Sequence, residues 1–199
     1  MKKLFDLFPT PIFKVSLLDQ FDDFEYISNW LKDAVSTPLQ IVEGDAQTCY
    51  MENWRESSYV LQEIPELEEA LNGYISQYCH LNGIEYCRLA DSWYTIMNKG
   101  SKVIRHRHEA NTISGTIYVN VPEGSHGLVF ANPTIPYRMN ERSNTPTKYT
   151  EYAHLVEVEV GDLLLYPSWL EHFVPPIECD NRVSISFNAD YKRLSLIHI

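Results

Sequence analysis

Residues 161–188 read GDLLLYPSWLEHFVPPIECDNRVSISFN, with two strand-like runs on either side of a turn-rich segment. The second run, RVSISFN, alternates apolar and polar residues as a half-buried strand does. Similar short runs recur from Ile84 onward, separated by Gly, Pro, Asn and Asp: SWYTIM, SGTIYVNV, GLVFAN and AHLVEVEV. Several short strands at this spacing predict an antiparallel β-sandwich or barrel.

The first 84 residues have a different pattern. The segment Pro11–Leu17 looks extended, and apolar residues at helical spacing predict a helix over residues 22–35. Residues 37–58 look polar and irregular. A second helix is predicted to begin at Pro65 and to end just before Gly83. We therefore predict an N-terminal strand and helices (1–84) packed on a β-rich core (85–192). The tail 193–199, RLSLIHI, resembles non-native read-through sequence, and we exclude it.

Composition restricts the class of partner. The chain has 199 residues, of which 44% are hydrophobic and 13% aromatic, which is typical of a globular protein. Its net charge of −11 disfavours broad binding to duplex nucleic acid or to an anionic membrane, because both need a basic surface. The N-terminus resembles neither a signal peptide nor a membrane span, and the four cysteines form no CxxC pair. These features predict a cytoplasmic protein, and they leave a homodimer open.

Two histidines lie two residues apart in IRHRHEANTISGTIYVN, residues 104–120. In an extended chain, side chains at this spacing point to the same side, so His106 and His108 could chelate one metal ion. Imidazole suits zinc, copper, iron and nickel. The flanking Arg105 and Arg107 favour the alternative that this is a solvent-exposed basic patch.

Three residues near the C-terminus add a second kind of site. His172 follows an apolar run and a turn, and Arg182 and Ser184 share one side of the last predicted strand. The planar fork of arginine binds a carboxylate through two hydrogen bonds, and a serine hydroxyl can add a third. An anion-binding pair beside a metal-binding histidine is what a chelating oxo-acid cosubstrate requires.

The sequence resembles the 2-oxoglutarate- and Fe(II)-dependent oxygenases, and more narrowly a group of small bacterial and phage members. The resemblance covers most of the chain. It rests on LFPTPIF near the N-terminus and then, in order, on H-x-H, SGTIYVNVP, YPSW-x-x-H and R-x-S. It implies a mostly β fold with flanking helices, namely a double-stranded β-helix (a jelly-roll, cupin-like barrel) with an N-terminal helical extension.

The resemblance also implies roles for individual residues. His106 and His172 would be metal ligands, Arg182 and Ser184 would hold the far carboxylate of 2-oxoglutarate, and Tyr118 would place its hydroxyl on the same carboxylate. The cofactors would be Fe(II), 2-oxoglutarate and O₂, with ascorbate in support. The implied enzyme is a dioxygenase that hydroxylates an unidentified substrate and releases succinate and CO₂. It needs no catalytic side chain beyond the metal ligands.

The chain departs from the wider superfamily at one position. Most members place Asp or Glu two residues after the first histidine, where this chain has His108. Either three histidines hold the metal, or Glu109 supplies the carboxylate through a bulge or bend, or the site is degenerate or holds a different metal. Two other classes of protein stay open. One is a three-histidine, cupin-like dioxygenase without 2-oxoglutarate, in which Arg182 and Ser184 would have no role. The other is a non-catalytic β-barrel.

Overall fold

Two antiparallel β-sheets and two α-helices make up the part of the chain that the computed structural model describes, residues 3–34, 41–49, 60–138 and 145–191. The helices are α1 (Phe24–Lys32) and α2 (Pro65–Asn82), and single 3₁₀ turns lie at Val60–Glu63 and Ile135–Tyr137. The strands are β1 (Phe13–Ser16), β2 (Val42–Glu43), β3 (Ala46–Thr48), β4 (Cys87–Met97), β5 (Lys102–His106), β6 (Ile113–Asn120), β7 (Leu128–Ala131), β8 (Ala153–Val156), β9 (Asp162–Pro167), β10 (His172–Val174) and β11 (Arg182–Tyr191).

The strands form a larger and a smaller sheet that face each other. The larger sheet has the order β1-β9-β6-β11-β4-β3, and the smaller has the order β2-β5-β10-β7-β8. This confirms the predicted jelly roll. The barrel is not closed: within the described residues the two sheets do not pair with each other at their edges, so the fold is a sandwich of two open sheets.

The outer side of the larger sheet packs against the helices. Side chains alternate across a strand, so every second residue of β6, β9 and β11 points this way. These residues are apolar and fully or almost fully buried: Ile113, Ile117, Leu163, Leu165, Val183, Ile185 and Phe187. They form one core with apolar residues of α1 and α2, among them Phe24, Ile27, Leu31, Leu67, Leu71 and Ile75.

The inner side of the larger sheet faces the smaller sheet across a cavity. The residues that alternate with the outer set are largely polar here. They include Trp93, Thr95 and Met97 on β4, Thr116 on β6, and Arg182, Ser184 and Ser186 on β11. The smaller sheet contributes Val103, His106, Leu128, His172 and Val174 to the same cavity. The polar side chains of β11 that the sequence analysis singled out therefore point between the sheets.

The N-terminal region agrees with the sequence in its helices and differs in its loops. α1 ends at Lys32, and Val35 of the predicted helix lies outside the described residues. α2 begins at Pro65 and ends at Asn82, just before Gly83, whose φ of 63° is the left-handed conformation that favours glycine. The irregular structure predicted for 37–58 is wrong in its described part, since residues 41–49 contain β2 and β3. These two strands pair with β5 and β4 at the sheet edges, where short polar strands are common.

Several predictions on the whole chain stay open. Neither α-helix in the described ranges has the length and apolar character needed to cross a membrane. The four cysteines are free thiols, and three of them are buried. The boundaries at residues 84 and 192, the cytoplasmic location and a homodimer stay predictions, and the tail 193–199 lies outside the described residues.

Candidate metal centre

The three histidines predicted to bind metal lie together at one end of the cavity. His106 is the last residue of β5, and His172 is the first residue of β10, directly opposite it in the antiparallel pair. His108 lies just beyond the strand, where its backbone N–H donates to the Ser168 carbonyl at 2.9 Å. One potential ligand atom from each imidazole lies within 4.8 Å of the other two. The shared direction predicted from the two-residue spacing is therefore present.

Each imidazole has a hydrogen-bond acceptor at its Nδ1 atom. The acceptors are the Ile104 carbonyl for His106 (2.8 Å), Asn188 Oδ1 for His108 (2.6 Å) and the Leu170 carbonyl for His172 (2.9 Å). A neutral imidazole that donates from Nδ1 presents a lone pair at Nε2. The Nε2 atoms of His106 and His108 are 3.1 Å apart. Two nitrogens about 2.1 Å from one ion, at a right angle, would be separated by about 3 Å.

The pKa values of the three imidazoles are lowered by burial. The pKa of His108 falls to about 4 and that of His172 to about 3, in each case mainly through desolvation. The pKa of His106 is also lowered, again mainly by burial. All three side chains are therefore neutral near pH 7, which is the form that binds a metal. In spacing, tautomer and charge, this donor set fits a divalent transition-metal ion.

A buried guanidinium lies in the same cavity. Arg182 is 2% exposed, its Nη1 atom donates to Ser184 Oγ at 3.3 Å, and its guanidinium lies 5.3 Å from the ring centre of Tyr118. No carboxylate among the described residues forms an ion pair with it. Burial lowers the pKa of Arg182, because desolvation disfavours its charged form. A buried cation without a counter-ion is costly, so this part of the cavity favours an anionic ligand.

The Tyr118 hydroxyl is buried and makes no hydrogen bond of normal geometry to any described residue. The Arg182 guanidinium is close enough to interact with it electrostatically. Burial raises the pKa of Tyr118 to about 12, an effect that the charge of Arg182 opposes. Tyr118 lies opposite Ser184 in the β6–β11 pair, so the hydroxyl, the serine and the guanidinium are neighbours. Buried polar groups normally have partners, and these three together fit one carboxylate of a bound molecule.

The structure places Glu109 outside this centre. Its side chain is 74% exposed, and its carboxylate accepts a hydrogen bond from Arg107 at 2.6 Å. Arg105 forms a similar ion pair with Glu171 at the surface. The residues that the fold brings together are His106, His108 and His172, whereas the two arginines lie on the solvent-exposed side.

Two supporting residues were missed in the sequence. Asn188 accepts hydrogen bonds from His108 and, at 2.8 Å, from Ser114 Oγ, and its amide nitrogen donates to Asp91 at 2.9 Å. One signal could have revealed Asn188. It continues the polar side of the alternation that runs from Arg182 through Ser184. Asp91 carries no comparable signal, because its position beside Asn188 depends on how the strands pair.

Comparison with known proteins places this geometry in a family. Residues 91–188 match the protein-family model described as "Putative 2OG-Fe(II) oxygenase". No curated protein sequence matches the chain significantly.

Solved structures share the fold over nearly the whole chain. An oxidoreductase of the 2OG-Fe(II) oxygenase family from Burkholderia pseudomallei is 13% identical with a TM-score of 0.62, over 90% of this chain and 85% of that one. HygX from Streptomyces hygroscopicus, with nickel and 2-oxoglutarate bound, is 11% identical with a TM-score of 0.60, over 92% and 84%. A prolyl-4-hydroxylase from Pseudomonas putida is 13% identical with a TM-score of 0.57, over 92% and 94%.

The sequence match covers the strands that carry the candidate site. It begins within β4 and ends within β11, and therefore includes His106, His108, His172 and Arg182. At identities of 10–13% the solved structures show the fold alone, and the family model supplies the evidence from sequence. Both agree with the resemblance described above, and Fe(II) and 2-oxoglutarate are the cofactors of this family. The chain belongs to the 2-oxoglutarate- and Fe(II)-dependent oxygenase family, a class of oxidoreductases.

Proposed function

We propose that this protein is a dioxygenase that uses Fe(II), 2-oxoglutarate and O₂ to hydroxylate a C–H bond of its substrate, with release of succinate and CO₂. The observation that carries the proposal is the pairing of two binding units in one cavity. One is a set of three neutral imidazoles, and the other is the buried guanidinium of Arg182, which has no counter-ion among the described residues. A molecule with a metal-chelating end and a distal carboxylate satisfies both.

We assign metal binding to the Nε2 atoms of His106, His108 and His172. When bound, the metal and cosubstrate supply the oxidising power that attacks an unactivated C–H bond. The acceptors at the three Nδ1 atoms hold the imidazole rings in orientation, as partners of metal ligands generally do. A neutral His108 in the place of a carboxylate leaves the centre more positive than in most of the superfamily.

We assign the distal carboxylate of 2-oxoglutarate to Arg182, Ser184 and Tyr118. The guanidinium provides the charge, and the two hydroxyls add hydrogen bonds. Apolar side chains around the cavity, including Met97 and Val174, limit the access of water to this carboxylate. In such surroundings a charge-assisted hydrogen bond contributes more than it would in water.

The test is turnover of the cosubstrate by the purified protein. With Fe(II), ascorbate and 2-oxoglutarate in air, we expect succinate to form slowly even when no substrate is added. His172→Ala should remove this turnover, because it deletes one of three metal ligands. Wild-type protein that binds Fe(II) but forms no succinate would contradict the assignment of 2-oxoglutarate as the cosubstrate.

Substitution of Arg182 separates this function from its alternatives. Arg182→Ala should weaken 2-oxoglutarate binding by roughly 100-fold, because it removes charge-assisted hydrogen bonds worth about 1.5–3 kcal/mol. Its Co(II) affinity should stay within about twofold of wild type. Arg182→Lys keeps the charge without the planar fork and should give an intermediate loss. Arg105→Ala, at the exposed pair with Glu171, is the matched control.

Two other outcomes would identify the competing classes. Equal affinity for 2-oxoglutarate in wild type and Arg182→Ala would indicate a three-histidine, cupin-like dioxygenase that does not use this cosubstrate. A protein with no affinity for Fe(II) or Co(II) would indicate a non-catalytic β-sandwich.

A further inference from the structure

A chain of hydrogen bonds connects His108 to the partly buried carboxylate of Asp91. His108 Nδ1 lies 2.6 Å from Asn188 Oδ1, and Asn188 Nδ2 lies 2.9 Å from Asp91 Oδ1. Ser114 Oγ donates a second hydrogen bond to Asn188 Oδ1 at 2.8 Å, and the Ser114 and Ser168 hydroxyls are also 2.8 Å apart. Asn188 is therefore hydrogen-bonded through both the oxygen and the nitrogen of its amide.

The register of the larger sheet fixes this arrangement. β11 lies between β4 and β6, so Asn188 has Asp91 directly opposite on one side and Ser114 directly opposite on the other. Asn188 is 3% exposed and Ser114 is fully buried. The strands hold all three residues on the inner side of the sheet, and little freedom remains for the amide to change its partners.

The carboxylate determines which way the amide faces. An ionised carboxylate only accepts hydrogen bonds, so the atom of Asn188 next to Asp91 must be the amide nitrogen. The amide oxygen then faces His108, which must donate from Nδ1. The lone pair of His108 is consequently at Nε2, on the side of the other two imidazoles. A reversed amide would favour the opposite tautomer, in which Nε2 carries the hydrogen and cannot bind a metal.

The other two histidines are held differently. The Nδ1 atoms of His106 and His172 bond to backbone carbonyls, which are neutral. Among the described contacts of the three Nδ1 atoms, only that of His108 leads on to a carboxylate. His108 is also the residue that stands where most of the superfamily has a negatively charged ligand.

We propose that Asp91 and Asn188 are positioning residues for His108 as a metal ligand. They fix the tautomer of the His108 imidazole, and they bring the negative charge of Asp91 within two hydrogen bonds of that imidazole. Asp91 is not a metal ligand, but through Asn188 it supplies part of the negative charge that a carboxylate ligand would supply directly. The inference rests on the proposed function, because it requires His108 to bind the metal.

The surroundings of Asp91 are consistent with this role. Burial raises the pKa of its carboxyl group, and hydrogen bonds from the side chain and backbone of Asn188 oppose that rise. The Asn188 amide thus favours the ionised form of Asp91, and ionised Asp91 in turn fixes the orientation of the amide.

Co(II) affinity of the purified full chain, measured by titration without cosubstrate, tests the inference. Partners of metal ligands typically account for 10–100-fold in affinity. We expect Asp91→Asn to weaken Co(II) binding about tenfold, and Asn188→Leu, which removes the acceptor, about 100-fold. Asp190→Asn is the matched control. It removes a carboxylate from β11, the strand of Asn188, that accepts a hydrogen bond from Thr112 at 2.7 Å, and its affinity should stay within about twofold of wild type.

An exchange of the two residues separates charge from structure. The double variant Asp91→Asn/Asn188→Asp keeps the number of hydrogen bonds and the net charge, and it places the carboxylate directly against His108. We expect it to recover at least wild-type Co(II) affinity, which a purely structural role of Asp91 would not produce. If Asp91→Asn alone fails to fold, as judged by its melting curve, the exchanged variant carries the test by itself.

The outcomes distinguish this inference from the proposed function. An Asp91→Asn affinity equal to that of Asp190→Asn would overturn the inference and leave the metal site standing. An exchanged variant that binds Co(II) at least tenfold more weakly than wild type would also overturn it. Wild-type protein without Co(II) affinity would overturn both the inference and the proposed function.

Discussion

The two sides of the six-stranded sheet are built from the same strands and have opposite properties. On β11, Ile185 and Phe187 point outward into the helix-covered core, whereas Arg182, Ser184 and Asn188 point inward to the cavity. Only one position along the chain separates a core residue from a candidate ligand-binding residue. The alternation of a single strand therefore separates the residues that stabilise the fold from those that face the candidate site, whatever their distance along the sequence.

The largest effect should come from the outer side. Phe187 is fully buried, so Phe187→Ala should lower the free energy of unfolding by about 3–5 kcal/mol through lost burial and the cavity that remains. Folded Phe187→Ala protein should keep its Co(II) affinity within about twofold. Denaturant unfolding and metal titration check the two halves of this prediction.

The same substitution at an exposed phenylalanine is the control. Phe8 is 97% exposed, and Phe8→Ala should change the free energy of unfolding by less than about 0.5 kcal/mol. Loss of Co(II) binding by folded Phe187→Ala protein would show that the two sides of the sheet are not independent.

The same alternation explains what the sequence could predict. RVSISFN shows both sides of one strand at once, so the sequence alone is enough to assign Arg182 and Ser184 to a shared surface. The pairing of strands could not be predicted in this way. Asp91 meets Asn188 across 97 positions of the chain, and nothing local to either residue indicates the other. β2 and β3, with two and three residues, are too short to show a period, so tertiary pairing alone defines them.

Lowering the pH should reduce the free energy of unfolding mainly through the histidines on the inner side of the sandwich. The folded-state pKa values of His108 and His172 lie well below the usual 6.5, so their contribution to stability is present above pH 6.5 and is lost as the pH falls towards about 4 and 3. Between pH 6.5 and 5.5, linkage predicts a loss of about 1 kcal/mol for each histidine in the metal-free protein. Denaturant unfolding at several pH values measures this slope.

Two variants assign that slope to the cavity. His172→Phe should reduce the loss by roughly a third to a half, because one of the three buried imidazoles is gone while His106 and His108 remain. His154→Ala is the control at a largely exposed imidazole and should leave the slope unchanged. A slope that is the same in wild type and His172→Phe would contradict the prediction.

The smallest effect concerns Tyr118, and its sign should depend on the ligand. Tyr118→Phe removes a buried hydroxyl that has no well-formed hydrogen bond to any described residue, so the free energy of unfolding without ligand should stay the same or rise by less than about 1 kcal/mol. Its affinity for 2-oxoglutarate should fall about 5- to 10-fold, since one hydrogen bond is lost. Ser184→Ala should lower both quantities, because Ser184 already accepts from Arg182. Calorimetric titration with 2-oxoglutarate and denaturant unfolding measure both.

A bound metal ion would also affect the stability of the smaller sheet. β10 has three residues and β5 has five, and His172 and His106 face each other across this short pair. An ion held by both imidazoles would join two segments that are far apart in the chain, and it would do so only once the chain has folded. Chelation would then act as a reversible cross-link within the smaller sheet. The lifetime of the folded protein would depend on the concentration of available iron as well as on the packing of its core.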